Sequence, residues 1–168
     1  MTPVATIGGP WEVTFPPNLG APPKVSLTEL QPLTANSDEG VKYFSGTATY
    51  TTTVQLADSQ LHPGARIFLD LGTVRDVAEV TINGQAIGTL WKPPYQLDVT
   101  RALKAGPNQL EIKVTNEWTN RIAGDRVLPP EKRVLSPVPP RPGTGGASQP
   151  LPESGLLGPV RILSSSEP

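Results

Sequence analysis

The sequence has no cysteine and a single histidine, His62. The first absence excludes disulfides and thiolate metal sites and leaves the redox compartment open. The second argues against a zinc centre built on imidazoles. Aromatic residues make up only 5% of the chain, so there is no row of tryptophans to grip the face of a long polysaccharide. Lys and Arg number 14 against 15 Asp and Glu, a net charge of -1, so there is no basic footprint for nucleic acid or an anionic membrane. No apolar run approaches the roughly 20 residues of a membrane helix. Met1-Thr2-Pro3 lacks the basic start and apolar stretch of a signal peptide, so the chain is expected to begin as an excised domain would. There is no long 3.6-residue amphipathic pattern, serine elbow, phosphate loop or two-histidine motif.

What remains is strand and turn. With 21 prolines and 16 glycines in 168 residues, the chain reads as one all-β domain, residues 1–168, with many loops. The organising stretch is 76–118. Ala78, Val80 and Ile82 alternate with Val77, Glu79 and Thr81, giving a strand with one more apolar face. Asn83-Gly84 is the pair that tolerates positive φ in a two-residue hairpin. Ala86, Ile87 and Leu90 carry the return strand to Trp91, and Lys92-Pro93-Pro94 ends it or confines it to an edge. After Gly106-Pro107-Asn108, Leu110, Ile112 and Val114 alternate strictly with Glu111, Lys113 and Thr115.

Elsewhere, Trp11–Phe15 is a short first strand, Tyr43–Leu56 a long Thr-rich one, and Ala65–Gly72 a compact apolar strand expected in the middle of a sheet. Trp11, Phe15, Tyr43, Phe44, Tyr50 and Phe68 are expected in the core. Residues 126–153 form a Pro/Gly-rich loop insertion before a last strand from Gly158 to Leu163, and 164–168 are a tail. About eight antiparallel strands is the number of a jelly-roll β-sandwich.

These motifs carry a resemblance. Gly88-Thr89-Leu90-Trp91, Pro93-Pro94-Tyr95, Asp98-Val99-Thr100, the run from Gly106 to Asn116, and Glu117-Trp118-Thr119-Asn120-Arg121 with Gly124-Asp125 follow the hairpin in order. Tyr43–Tyr50 precedes them and Ser154–Arg161 closes the chain. Together they resemble the galactose-binding-like sugar-binding β-sandwich of family 2 glycoside hydrolases, and more closely the related C-terminal domain of family 106 α-L-rhamnosidases. The resemblance implies a short, loosely helical crossover at Tyr95–Leu103, a last strand pairing near the start of the chain, a parent enzyme that is secreted or periplasmic, and catalytic carboxylates on a separate barrel domain.

Glu117, Asp125, Glu131 and Glu153, with Asp70, Asp76 and Asp98 at strand ends, show no spacing that pairs an acid with a base, and the chain reads as non-catalytic. Sugar binding needs an aromatic platform and planar polar groups. Trp91, Lys92 and Tyr95 offer this at a proline-stiffened corner, although Trp91 as a core cap and Tyr95 as a corner plug fit equally well. Asn116, Glu117, Trp118, Asn120, Arg121 and Asp125 offer it at the root of the long loop. There an Arg121–Asp125 ion pair pinning the loop is the alternative. No cofactor is expected. Structural calcium at Asp38-Glu39-Gly40 stands against a charged turn tip. Three functions stay open: an accessory domain packing on a catalytic barrel in an enzyme of rhamnose-containing glycans, an autonomous carbohydrate-binding module with a small pocket, and a structural spacer.

Overall fold

The structure, a computed structural model, describes residues 1–61, 64–137 and 150–165. In order, its elements are β1 (Thr2–Ile7), β2 (Trp11–Thr14), β3 (Lys24–Leu27), α1 (Glu39–Lys42), β4 (Thr47–Leu56), β5 (Arg66–Asp70) and β6 (Thr73–Arg75). There follow β7 (Val77–Ile82), β8 (Gln85–Leu90), β9 (Gln96–Asp98), β10 (Gly106–Thr115), α2 (Thr119–Val127), β11 (Gly155–Gly158) and β12 (Val160–Ser165). Two antiparallel sheets, ordered β1-β12-β5-β9 and β3-β2-β4-β10-β7-β8, carry the fold, and β6 pairs with β11 in a small ribbon. This is the expected antiparallel β-sandwich.

The alternation read from the sequence decides which face is dry. Ala78, Val80, Ile82, Leu110, Ile112 and Val114 are buried, whereas Glu79, Glu111 and Lys113 face outward. From the smaller sheet, Ile67, Leu69, Val160 and Ile162 enter the same core. Trp11, Phe15, Phe44 and Tyr50 are buried as expected. Tyr43 and Phe68 are only partly so, and Phe68 lies under the Arg66 guanidinium at 5.1 Å. Burial pushes the Tyr50 phenol far above its ordinary range, so it stays neutral and accepts the Leu156 amide at 3.2 Å.

The hairpin between β7 and β8 turns at Asn83 (φ 52) and Gly84 (φ 80). The Asn83 amide group donates to Asn108 Oδ1 and to the Ala102 carbonyl, each at 2.9 Å, and its oxygen accepts the Gln109 N–H at 3.0 Å. The turn therefore locks onto β10. Strand β8 lies at a sheet edge and β5 at an interior position.

The structure differs from the expectations in several places. Among the described residues there are twelve strands; β6 and β9, of three residues, and β3 and β11, of four, are too short to show a clear period. A strand, β1, precedes the expected first one; its pairing with β12, Thr2 opposite Ser164, is the expected return of the last strand to the start of the chain. Ser164 and Ser165 belong to β12 rather than to a tail. The long Thr-rich segment Tyr43–Leu56 begins at the C-cap of α1, Tyr43, and becomes strand only at Thr47. Tyr95–Leu103 holds the short strand β9 followed by one helical turn closed by Leu103 N–H to the Val99 carbonyl at 3.2 Å. Helix α2 occupies 119–127, where none was expected. Its buried residues are Asn120, Arg121, Gly124 and Asp125, so its inward face carries no apolar stripe to read. The middle of the expected Pro/Gly-rich loop (138–149), the end of the expected tail (166–168) and His62 lie outside the described residues.

Two predictions follow from the turns. Gly84→Ala is expected to lower unfolding stability by about 1 kcal/mol in a denaturant titration. A Cβ there meets no atom within 4 Å, so the cost comes from positive φ alone. The second concerns Asp98, whose carboxyl is lowered from 3.8 to about 2, first by the Thr100 hydroxyl at 2.6 Å and amide at 3.0 Å, then by Arg66 at 2.7 Å. A lowered folded value stabilises the fold above the ordinary carboxylate range, and that stability is lost as pH falls from 3.8 towards 2. Asp98→Asn should flatten the stability-versus-pH curve in this window. The effect is small because the pair is exposed to screening solvent.

Candidate functional site

In the larger sheet, β8 pairs with β7 and β7 with β10, Leu90 lying opposite Ala78 and Val77 opposite Thr115. Trp91 and the segment after Thr115 therefore leave the sheet at the same end, one strand apart. Both tryptophans there stand in solvent, Trp91 at 68% and Trp118 at 47% relative exposure. Lys92 and Glu117 are exposed beside them, and the Lys92 ammonium lies over the Trp91 ring at 5.1 Å. Trp91 thus is no core cap. An exposed indole face with a cation and a carboxylate nearby suits the C–H face and hydroxyls of a sugar.

The other residues singled out from the sequence lie behind this surface. Tyr95 is buried and its hydroxyl donates to the Asp76 carbonyl at 3.0 Å, as a corner plug would. Asn116 donates to the Phe44 carbonyl at 2.9 Å and accepts the Gly46 N–H at 2.8 Å, fixing the entry to β4. Asn120 is buried and donates to the Pro152 carbonyl at 2.9 Å.

Arg121 and Asp125, one turn apart on α2, form an ion pair at 2.6 Å with both side chains fully buried. Asp125 Oδ2 accepts the backbone N–H of Leu135 at 2.7 Å and of Val134 at 3.1 Å, holding the segment after α2 against the helix. The loop-pinning alternative describes this arrangement well. The ion pair is short but poorly aligned: Arg121 Nε, Nη1 and Nη2 and Asp125 Oδ1 make no hydrogen bond of good geometry. Helix α2 reaches its seat because Gly124 lies against the Tyr43 ring, where a Cβ would stand 2.5 Å from Cγ.

The same end holds a cleft of about 580 Å³ between the β2–β3 loop, α1 and the segment after α2. Asn18, Gly20, Gly40, Glu131 and Arg133 line it, with Arg121 at its base. Of the lining residues, Arg121 and Glu131 were singled out from the sequence, and Asp38, Glu39 and Gly40 only as a calcium candidate; Asn18, Gly20 and Arg133 were not. The one available signal, Gly20 in a Pro-rich loop, is too common to point to a site. Asp38 caps α1, its Oδ1 accepting the N–H of Gly40 at 2.8 Å and of Val41 at 3.2 Å, so the acidic tip is a helix cap. Among the described residues, no group of three or more metal-ligating side chains is gathered.

Removing one partner of the buried pair should be severe. Asp125→Ala is expected to cost about 3–5 kcal/mol in denaturant unfolding, since it leaves Arg121 charged and unpaired. Combining Arg121→Met with Asp125→Asn should recover much of that loss, because the asparagine oxygen still accepts the Val134 and Leu135 amides.

Residues 28–137 match the family described as glycosyl hydrolase 2 galactose-binding domain-like. A candidate beta-glucuronidase of Formosa agariphila is 49% identical over 123 residues, 73% of this chain and 11% of that protein. The solved rhamnosidase of Novosphingobium sp. PP1Y is 42% identical over 97% of this chain and 15% of its own, with a TM-score of 0.86. A β-glucuronidase of Ruminococcus gnavus, 22% identical over 67% of this chain and 21% of its own at a TM-score of 0.56, shares the fold. The chain thus spans about a tenth to a seventh of the first two relatives. With the match covering well over half of its length, the chain belongs to the galactose-binding-like domain family of glycoside hydrolases.

Proposed function

We propose that this chain is a non-catalytic accessory β-sandwich of a glycoside hydrolase acting on rhamnose-containing glycans. It packs beside the catalytic barrel and contacts carbohydrate at the end that carries Trp91 and Trp118. The observation that carries this reading is the likeness to the rhamnosidase, 42% identical along 97% of the chain. The glucuronidase name of the Formosa relative favours a uronic acid as the alternative sugar. The roles follow from exposure. Trp91 and Trp118 are the stacking platforms, and Lys92 and Glu117 take the hydroxyl hydrogen bonds. Tyr95, Asn116, Asn120, Arg121 and Asp125 set the loops that hold them.

A second reading is an autonomous carbohydrate-binding module. It is favoured by the two exposed indoles, which a spacer would not need. The two readings differ in whether the chain binds sugar alone.

Titration calorimetry of this chain with L-rhamnose, D-galactose, D-glucuronic acid and rhamnose-bearing oligosaccharides, with and without calcium, tests both. Saturable heat that Trp118→Ala or Trp91→Ala weakens about tenfold is expected for a binding module. No heat with any sugar, from a folded sample, would sink the module reading and confine any sugar contact to the assembled enzyme.

A further inference from the structure

The turn that ties the β7–β8 hairpin to β10 is also the most reactive amide pair in the chain. When glycine follows asparagine, its backbone nitrogen attacks the side-chain amide readily, because no Cβ stands in the way. Asn83-Gly84 is the one such pair; Asn36 precedes Ser37, and Asn18, Asn108, Asn116 and Asn120 precede larger residues. The turn stands in open space. Asn83 is exposed, and a Cβ on Gly84 would meet no atom within 4 Å, so water and base reach both partners.

Three bonds hold the Asn83 amide. Its nitrogen donates to the Ala102 carbonyl and to Asn108 Oδ1, each at 2.9 Å, and its oxygen accepts the Gln109 N–H at 3.0 Å. Ring closure onto Gly84 requires the side chain and the turn to rotate, which these bonds resist until the turn opens locally. Asn108, fully buried, cannot swing round to suit a changed partner. Its nitrogen donates to the Lys104 carbonyl at 2.7 Å and the Gly106 carbonyl at 3.1 Å, and its oxygen also accepts the Lys104 N–H at 3.0 Å. An ionised carboxylate at position 83 has acceptors only. It would face two oxygens from the place where the amide now donates to both.

We propose that Asn83 is a deamidation site, which the native hydrogen bonds restrain and whose conversion unties the hairpin from β10. The Gly84 nitrogen bonds to Asn83 Cγ, the Cγ–Nδ2 bond breaks, and Nδ2 leaves as ammonia with the Gly84 amide proton. Water then opens the five-membered imide at either carbonyl, its hydroxyl going to carbon and its proton to nitrogen. One opening gives aspartate, which sets a carboxylate against Ala102 O and Asn108 Oδ1. The other gives isoaspartate, which adds a methylene to the main chain of a turn whose length fixes Ile82 opposite Gln85. The site lies at the end of the sandwich away from Trp91 and Trp118, and the inference rests on neither sugar-binding reading.

Peptide mapping by mass spectrometry, after incubation at mildly alkaline pH with and without denaturing urea, follows each asparagine. In urea, Asn83 is expected to convert ahead of Asn36 and the others. In buffer alone its rate should fall at least about tenfold, since the turn must open first. Gly84→Ala, whose Cβ shields the nitrogen, should slow the reaction in urea and so identify the attacking atom. The consequence is read from Asn83→Asp, which writes the aspartate product into the chain. Its urea midpoint should fall below that of the unaltered chain at neutral pH. The folded state disfavours the charged form, so the gap should narrow below about pH 4, where the protonated carboxyl donates again. Equal rates in buffer and urea would overturn the restraint. Asn36 converting first in urea would overturn the choice of site. An Asn83→Asp chain as stable as the unaltered one at neutral pH would overturn the untying.

Discussion

The architecture depends on the ladder between β4 and β10. These strands, 10 residues each, pair without interruption from Gly106 opposite Leu56 to Thr115 opposite Thr47. A slip of one residue would turn Leu110, Ile112 and Val114 to solvent and bury Glu111 and Lys113, so the dry face fixes the register. The ladder in turn fixes both ends of the sandwich. At one end β10 receives the Asn83 turn. At the other, β4 begins and β10 stops, and α1, α2, Trp91 and Trp118 gather there.

At that second end the stabilising logic changes from apolar burial to polar satisfaction. Asn116 bonds across to Phe44 and Gly46, Asn120 reaches Pro152, and Asp125 gathers two backbone amides. The Arg121 backbone N–H donates to the Ser45 hydroxyl at 3.1 Å, so α2 is tied to the segment leading into β4. Each bond joins segments far apart in the chain. This spreads the constraint over the loops, which then present Trp91 and Trp118 outward on a fixed frame. An aromatic surface held on such a frame loses less freedom on binding a ligand.

The same design explains why the polar residues singled out for chemistry are mostly not at the surface. Asn116, Asn120, Arg121 and Asp125 hold loops and helix α2 in place. Fold membership alone does not choose among sugars, because relatives of this chain carry names of both rhamnosidase and glucuronidase.

The sequence by itself determined the all-β class, the Asn83-Gly84 hairpin, the dry faces of β7 and β10 and the edge position of β8. All of these rest on short-range rules, a period of two and a turn that needs positive φ. It also pointed to Trp91 and Trp118, though not to their exposure. Only the tertiary structure decided where α2 lies, since a helix whose inward face is Asn120, Arg121, Gly124 and Asp125 has no hydrophobic period to read. It supplied β1 as the partner of β12, a pairing near the start of the chain that the resemblance implied but no local pattern showed, and it alone brought Gly20, Gly40 and Glu131 to one cleft with Arg121. Those contacts join residues up to about 160 positions apart, and no local pattern encodes a partner at that distance.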